Sequence, residues 1–363
     1  MSEMRRWKEI RGVCLGGNMS NAFQVALTAD FNDAAGEPKF ADIGLDVFDA
    51  HPQIHVRSFS EHLPRIGADQ LVGANGVIVL TPAVTSETVS SAAELLAIGR
   101  FGVGYDSVDV AACTAADVLV TITAGAVDRS VAEATIGWMI GISHHTRTKD
   151  RLLREGKWDE RSQYMGSELR DHTLGLIGLG GIARKVLELL AGWGMNPPLA
   201  FDPYVDPAVA AQLGVCLVEL DELLRQSDFV SIHCPMTEQT RGLIGQRELA
   251  LMKPSAYLIN TARGGIVDEN ALYDALQQGR LAGAALDCFA KEPTIGPHRF
   301  GELENVLLAP HSIAWTNEMF RDIGRAACLG MVDLSLKRRP RGVVNPEVFD
   351  RPGFQRKWDR LCP

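Results

Sequence analysis

Arg263, Glu292 and His311 are the side chains in this sequence best matched to moving a proton beside a carboxylate. Arg263 stands in Asn260-Thr261-Ala262-Arg263-Gly264-Gly265, Glu292 in Lys291-Glu292-Pro293, and His311 in Leu308-Ala309-Pro310-His311. A guanidinium fork grips a planar carboxylate with two parallel hydrogen bonds, which the point charge of a lysine cannot do. A carboxylate beside an imidazole favours the protonated ring, a form that can give a proton to a developing alkoxide and take it back in the reverse direction. Taken singly, each residue also has an ordinary use: a surface ion pair for Arg263, a solvated loop for Glu292, a satisfied strand end for His311. It is the set that points to chemistry.

A second pattern lies upstream. Gly178-x-Gly180-x-x-Ala183 falls between an apolar run and a helical pattern. In such a turn the first glycine permits the tight bend, the second lets a pyrophosphate approach the backbone, and a small third residue lets helix and strand pack closely. The helix N-terminus offers unpaired N–H groups and partial positive charge to phosphates. Nineteen residues beyond Ala183, after the next apolar run, stands Asp202 in Phe201-Asp202-Pro203-Tyr204. A carboxylate there can accept both ribose hydroxyls of an adenosine, and no arginine follows closely to hold a 2′-phosphate. The pair favours NAD over NADP.

The elements that must position these groups read as alternating strands and helices. Phe23 to Ala29, Ile54 to Phe59 and Val77 to Leu80 are expected as short buried strands. From Asp128 a helix follows, with Ser130 and Glu133 at capping-box spacing and Val131, Ala134, Thr135, Trp138 and Ile142 on one stripe. Strands are then expected at Thr173–Ile177, Leu199–Phe201, Phe229–His233, Ala256–Asn260, Gly283–Leu286 and Val306–Leu308, with helices at Ile182–Trp193 and Glu269–Gln278. Short β runs between amphipathic helices mean a parallel, doubly wound sheet, and Arg263, Glu292 and His311 then all fall at its carboxyl edge, where open α/β sheets bind ligands. A last helical stretch, Asn317–Leu336, comes after that sheet and is expected to return to the first domain.

Length and composition agree with two folded domains. The chain has 363 residues, 46% of them hydrophobic, and a net charge of −9 from 36 Lys and Arg against 45 Asp and Glu. That sign repels polyphosphates and anionic lipid, so neither nucleic acid nor membrane is expected as a partner. No apolar stretch reaches the length of a membrane span, and no signal-peptide pattern opens the sequence. Seven well-separated cysteines without a Cys-x-x-Cys read as reduced thiols and a cytoplasmic location. His51-x-x-x-His55 has metal-ligand spacing, but Pro52 disfavours a helix there, so no metal is expected. Lys337-Arg338-Arg339-Pro340-Arg341 reads as a solvated turn.

From about Ala83 to Glu347 the chain resembles the D-isomer-specific 2-hydroxyacid dehydrogenase family. The likeness runs through Gly102-Val103-Gly104-Tyr105-Asp106, Val131-Ala132-Glu133, Gly156-Lys157-Trp158, the glycine turn, His233-Cys234-Pro235-Met236-Thr237, Asn260 to Asp268, Lys291-Glu292-Pro293, Pro310-His311 and Val343-Val344-Asn345-Pro346. The resemblance implies His311 as acid/base, Glu292 as its carboxylate partner and Arg263 as anchor of the substrate carboxylate and C2 oxygen. It implies substrate-carboxylate contacts from the N–H groups of Val103 and Gly104. Cofactor contacts are implied at Gly178, Gly180, Gly181, Ile182, Asp202, His233, Cys234, Pro235, Thr240, Thr261, Ala262 and, near the nicotinamide, Asp287. The chain departs from the family at Gly181, where many relatives carry Arg or Ser, so a side-chain contact to the pyrophosphate is expected to be missing. Trp315 adds a bulky ring near the expected pocket mouth.

The resulting expectation is an α/β protein with a doubly wound Rossmann dinucleotide domain (124–315) inserted in a discontinuous flavodoxin-like substrate domain (21–123 and 316–350). An N-terminal extension (1–20) and a C-terminal tail (351–363) flank them, and the chemistry is expected between the domains. The reaction implied is NADH-dependent reduction of a small 2-oxo acid to the D-2-hydroxy acid. Relatives suggest a homodimer through the NAD domain, with the Val131–Ile142 helix as part of its surface. The rival is an NAD(H)-sensing, corepressor-like interaction module on the same fold, against which stands the lack of long disordered flanks.

Overall fold

The computed structural model describes residues 22–362, so the N-terminal extension lies outside the described residues. The chain divides into two compact units, residues 1–127 with 316–363, and Asp128–Trp315.

The first unit carries strands β1 (Phe23–Leu27), β2 (Ile54–Ser58), β3 (Gly76–Val79), β4 (Ala97–Arg100) and β5 (Leu119–Thr121). They form one parallel sheet in the order β2-β1-β3-β4-β5, the flavodoxin-like order. Short helices α1 (Ser86–Val89) and α2 (Val110–Ala115) lie in its connections. Every residue of β3 is buried, as a strand covered on both faces requires. β4 and β5 are not among the expected strands, because runs of three or four apolar residues carry no period by which to tell strand from helix.

The second unit begins with α3 (Asp128–Ser143) and α4 (Thr146–Arg154). It continues through β6 (Leu174–Ile177), α5 (Gly181–Leu189), β7 (Leu199–Phe201), α6 (Pro207–Gln212), β8 (Cys216–Leu217), α7 (Leu220–Gln226), β9 (Phe229–Ile232), α8 (Gln246–Leu251), β10 (Tyr257–Asn260), α9 (Glu269–Gln277), β11 (Gly283–Leu286) and β12 (Val306–Leu308). The sheet is parallel throughout, ordered β12-β11-β10-β9-β6-β7-β8. Counted from β6, that is the Rossmann order with a seventh strand at one edge, and the order reverses between β6 and β9. Leu258 and Ile259, neighbours in β10, point into two different apolar clusters, one on each face of the sheet.

After β12 the chain returns to the first unit. There α10 (Asn317–Ser335) lays Met331 against the sheet, and its sulfur would stand 2.5 Å from a Cβ built on Gly76. The basic run after α10 is a turn whose charges are engaged locally: Lys337 pairs with Asp359, and Arg339 lies over the Phe349 ring. The residues expected as a C-terminal tail instead form α11 (Pro352–Leu361), held by the buried Phe354 and by Trp358, whose indole donates to the Leu334 carbonyl.

Two local expectations are corrected. The Ser130 and Glu133 spacing makes no capping box, because α3 already starts at Asp128; Ser130 donates to the Ala314 carbonyl and Glu133 pairs with Arg129. The helix expected to reach Trp193 stops at Leu189, before a turn in which Gly192 and Gly194 take positive φ. Of the expected α3 stripe, Thr135, Trp138 and Ile142 are buried in this unit, as are Ala132, Ile136 and Met139, while Val131 and Ala134 are half-buried.

Candidate active site

Arg263, Glu292, His311, Asp287, the glycine turn and Asp202 all lie at the carboxyl ends of adjacent strands in the second sheet. Asp287 directly follows β11 and His311 follows β12 by three residues. The His311 Nδ1 lies 2.7 Å from Glu292 Oε2, and Glu292 Oε1 accepts the Phe289 amide at 2.8 Å. Both oxygens of Glu292 are therefore fixed, and His311 is left with Nε2 toward other partners. Partial burial by itself would raise the Glu292 carboxyl, but the His311 hydrogen bond, the Phe289 N–H and the nearby Arg263 charge together hold it below the ordinary carboxylate value.

His311 has φ +53°, a left-handed conformation that a non-glycine residue adopts only when its surroundings impose it. Asp287 is the group that imposes it. Its carbonyl accepts the His311 amide at 2.8 Å, and its Oδ1 accepts Ser312 N at 2.8 Å and Ile313 N at 3.2 Å. Burial raises the Asp287 carboxyl, partly offset by those amides. Asp287, which the resemblance implies near the nicotinamide, also accepts the amides of the histidine loop with its carboxylate.

Arg263 is positioned by its own turn. Asn260, 2% exposed, accepts the Ala262 amide and donates to the Arg263 carbonyl, while the guanidinium bonds the Ala262 carbonyl at 2.7 Å. Gly264 lets this turn approach the loop after β11, since a Cβ there would stand 1.9 Å from the Phe289 carbonyl oxygen. Asn260 and Gly264 were not singled out as positioning residues, although both stand inside the motif that carries Arg263.

The residues fit a dinucleotide. Gly178, at φ +92°, brings the turn against Cys234, whose amide nitrogen would be 2.8 Å from an added Cβ. A Cβ on Gly180 would meet nothing within 4 Å, which leaves open space at the N-terminus of α5. Asp202 Oδ2 accepts Leu179 N at 2.8 Å and Oδ1 accepts Tyr204 N at 2.9 Å, so the carboxylate is fixed beside the turn. At Gly181 the structure adds a reason for the missing side chain: a Cβ there would lie 2.1 Å from Asp128 Oδ2. Burial raises that Asp128 carboxyl. Ile182 is in the first turn of α5.

Other expected cofactor residues shape neighbouring loops. The His233 ring lies 2.9 Å from the Ser231 hydroxyl, and burial lowers its pKa to about 4, so the ring is neutral. Burial pushes the Cys234 thiol up to about 11. Thr240 donates to the Pro235 carbonyl at 2.7 Å and closes the turn that follows. Thr261 Oγ1 stands 3.3 Å from Thr135 Oγ1, and the Ala262 carbonyl also accepts from the Cys288 thiol.

Val103 and Gly104 belong to the first unit, in the loop after β4. Among the described residues their N–H groups have no hydrogen-bond acceptor. Trp315 is 57% exposed. Among the described residues, no disulfide joins the cysteines and no helix is long and apolar enough to cross a membrane.

Comparison with known proteins agrees with this geometry. The family description "D-isomer specific 2-hydroxyacid dehydrogenase, NAD binding domain" matches residues 136–312. A D-3-phosphoglycerate dehydrogenase of Methanocaldococcus jannaschii is 38% identical over 298 residues, 82% of this chain and 54% of that protein. A glyoxylate reductase of Korarchaeum cryptofilum is 35% identical over 284 residues, 77% of this chain and 85% of that protein. The crystal structure of a glyoxylate reductase from Paecilomyes thermophila superposes with a TM-score of 0.75 at 27% identity, covering 90% of this chain and 99% of that one. The chain spans about half the length of the phosphoglycerate dehydrogenases it matches. These names are dehydrogenases and reductases, so the sensing-module reading gains no support.

Proposed function

Because the chain belongs to the D-isomer-specific 2-hydroxyacid dehydrogenase family, we propose that it reduces a small 2-oxo acid to the D-2-hydroxy acid with NADH, and runs the reverse reaction with NAD. The observation that carries this reading is the 2.7 Å contact of His311 Nδ1 with Glu292 Oε2, on the same sheet edge as Arg263 and the glycine turn.

The Gly178–Ile182 turn and Asp202 would hold NAD(H), whose chemistry when bound would be hydride transfer to or from C2. Arg263 binds the substrate carboxylate and the C2 oxygen, fixing the plane in which the carbon is attacked. His311, with Nδ1 on Glu292, presents Nε2 to the C2 oxygen and gives it a proton during reduction. Glu292 keeps the ring oriented and balances its charge. Donation to a carboxylate is also the task assigned to the N–H groups of Val103 and Gly104.

Asp202 supports NADH over NADPH, since a fixed carboxylate repels a 2′-phosphate. A homodimer through the second unit and a cytoplasmic location complete the reading; sedimentation of the purified protein tests the first of these.

The deciding experiment is NADH oxidation, followed by absorbance, against glyoxylate, hydroxypyruvate, pyruvate, phosphohydroxypyruvate and longer sugar 2-oxo acids, with NADPH in parallel. Turnover with NADH preferred establishes the activity. Binding of NADH without turnover on any of them counts against it.

A further inference from the structure

The proposed reaction leaves one member of the site without a task. Cys288 follows Asp287 on the way out of β11, and one donor atom each from Cys288, Glu292 and His311 lie within 4.8 Å of one another. Cys288 is 4% exposed, whereas the side chains of Glu292 and His311 are 34% and 47% exposed. The cluster thus has a buried sulfur at its floor and two donors that solvent can reach. Burial pushes the Cys288 thiol above its ordinary value, so in the metal-free protein it is a neutral neighbour of the His311–Glu292 pair.

Sulfur, imidazole nitrogen and carboxylate oxygen are the donor types of an open, four-coordinate zinc site. With metal–donor bonds of about 2.0–2.3 Å at tetrahedral angles, the donors around such an ion stand roughly 3.3–3.6 Å apart. One donor atom of each residue already lies within 4.8 Å of the others, on either side of that value, with His311 Nδ1 and Glu292 Oε2 at 2.7 Å. The local charge also favours a cation, since the carboxylates of Asp287 and Glu292 both act on this thiol and only Arg263 opposes them.

We propose that Cys288, Glu292 and His311 form an inhibitory site for a thiophilic divalent cation of the Zn2+ class. Binding deprotonates the thiol, as coordination does to thiols generally, and releases that proton to solvent. Where the imidazole carries two protons, it releases one of them as well. The cation then occupies the ring that the proposed reaction uses to carry a proton, and turnover stops. Hard cations such as Mg2+, which take oxygen donors, do not compete. The inhibitory half of this inference rests on the reading of His311 given above, but the coordination does not.

The test separates the two. Co2+ titrated into the purified full-length protein is expected to give an intense near-ultraviolet thiolate-to-cobalt band, which Zn2+ displaces. Cys288→Val and Cys288→Ser, checked for unchanged circular dichroism and unchanged metal-free turnover, are expected to lose the band. In the same variants the Zn2+ concentration for half-inhibition is expected to rise by more than the tenfold that losing even an outer support of a metal costs. Inhibition of the wild type is expected to reverse with EDTA, and Mg2+ to leave the rate unchanged. No band in the wild type, or the same band in Cys288→Val, overturns the site whether or not a substrate has been found. A band lost in the variants alongside full turnover in saturating Zn2+ overturns the inhibitory role.

Discussion

Asp287 fixes His311 from below: its carbonyl accepts the histidine amide at 2.8 Å, and its Oδ1 accepts the amide of the next residue at 2.8 Å. The imidazole is thereby held on a left-handed backbone, with its Nδ1 on Glu292. Removing the carboxylate leaves two half-buried amides without their acceptor. Asp287→Ala is therefore expected to lose about 1–3 kcal/mol of stability in urea titration, and Asp287→Asn, which keeps an acceptor oxygen, to lose less. If the two variants unfold at the same urea concentration as the wild type, the carboxylate does not hold the loop.

His311→Ala is expected to lower turnover by roughly a hundred to ten-thousand-fold, the usual effect of losing a general acid, while NADH still binds. The partner can be tested by pH. The Glu292 carboxyl is held below its ordinary value, so its charged form persists through the normal carboxylate range and is lost only as pH falls through the lowered value. Wild-type turnover should keep its Glu292-dependent part down to that point. Glu292→Gln should be slow at every pH and lack that acid limb; an unchanged limb in the variant would assign it to another group.

The parallel α/β plan was legible because its signals are local and repeated: Leu199–Phe201, Gly283–Leu286 and Val306–Leu308 have the same bounds in the sequence reading and in the structure. Arg263, Glu292 and His311 were legible for a different reason, since each follows a strand and the carboxyl edge gathers whatever follows strands. What stayed hidden depends on contacts between segments distant in sequence. Nothing around Gly181 in the chain announces that Asp128, more than fifty residues earlier, fills the space beside it. The backbone task of Asp287 is equally silent, because it depends on where β11 and β12 end relative to each other. The Ser130 and Glu133 spacing shows the converse: a correct pattern goes unused when the helix starts two residues earlier.

Gly264→Ala tests the contact that seats Arg263. The added methyl would stand 1.9 Å from a backbone oxygen, so no side-chain rotation can relieve it. The loops after β10 and β11 must separate, and overpacking of that kind costs about 1–3 kcal/mol. Stability in urea should fall by that amount, and the KM for the 2-oxo acid should rise as Arg263 moves. A variant with wild-type stability and kinetics would show that the two loops part freely.

Asp202→Ala should weaken NADH binding by roughly 10- to 150-fold, corresponding to the ~1.5–3 kcal/mol of a hydrogen bond to a charged group. It should also narrow the preference over NADPH, because the carboxylate that repels a 2′-phosphate is gone. Fluorescence titration with both nucleotides reads the two effects. Equal loss for NADH and NADPH would mean that Asp202 acts only by bracing the Leu179 amide, 2.8 Å away.

His233 gives the stability of the fold a pH dependence of known sign. Burial lowers its pKa from 6.5 to about 4, so the unfolded chain takes up a proton there before the folded chain does. The neutral ring contributes its full stability above pH 6.5, and that contribution is lost as pH falls toward 4. Within the window the slope from this one group approaches about 1.4 kcal/mol per pH unit. His233→Gln keeps a polar group beside Ser231 but has nothing to protonate. Urea unfolding of both proteins between pH 6.5 and 4.5 should show the variant losing less stability than the wild type as the solution is acidified. Parallel curves across that interval would mean that His233 takes up its proton equally well in the folded chain.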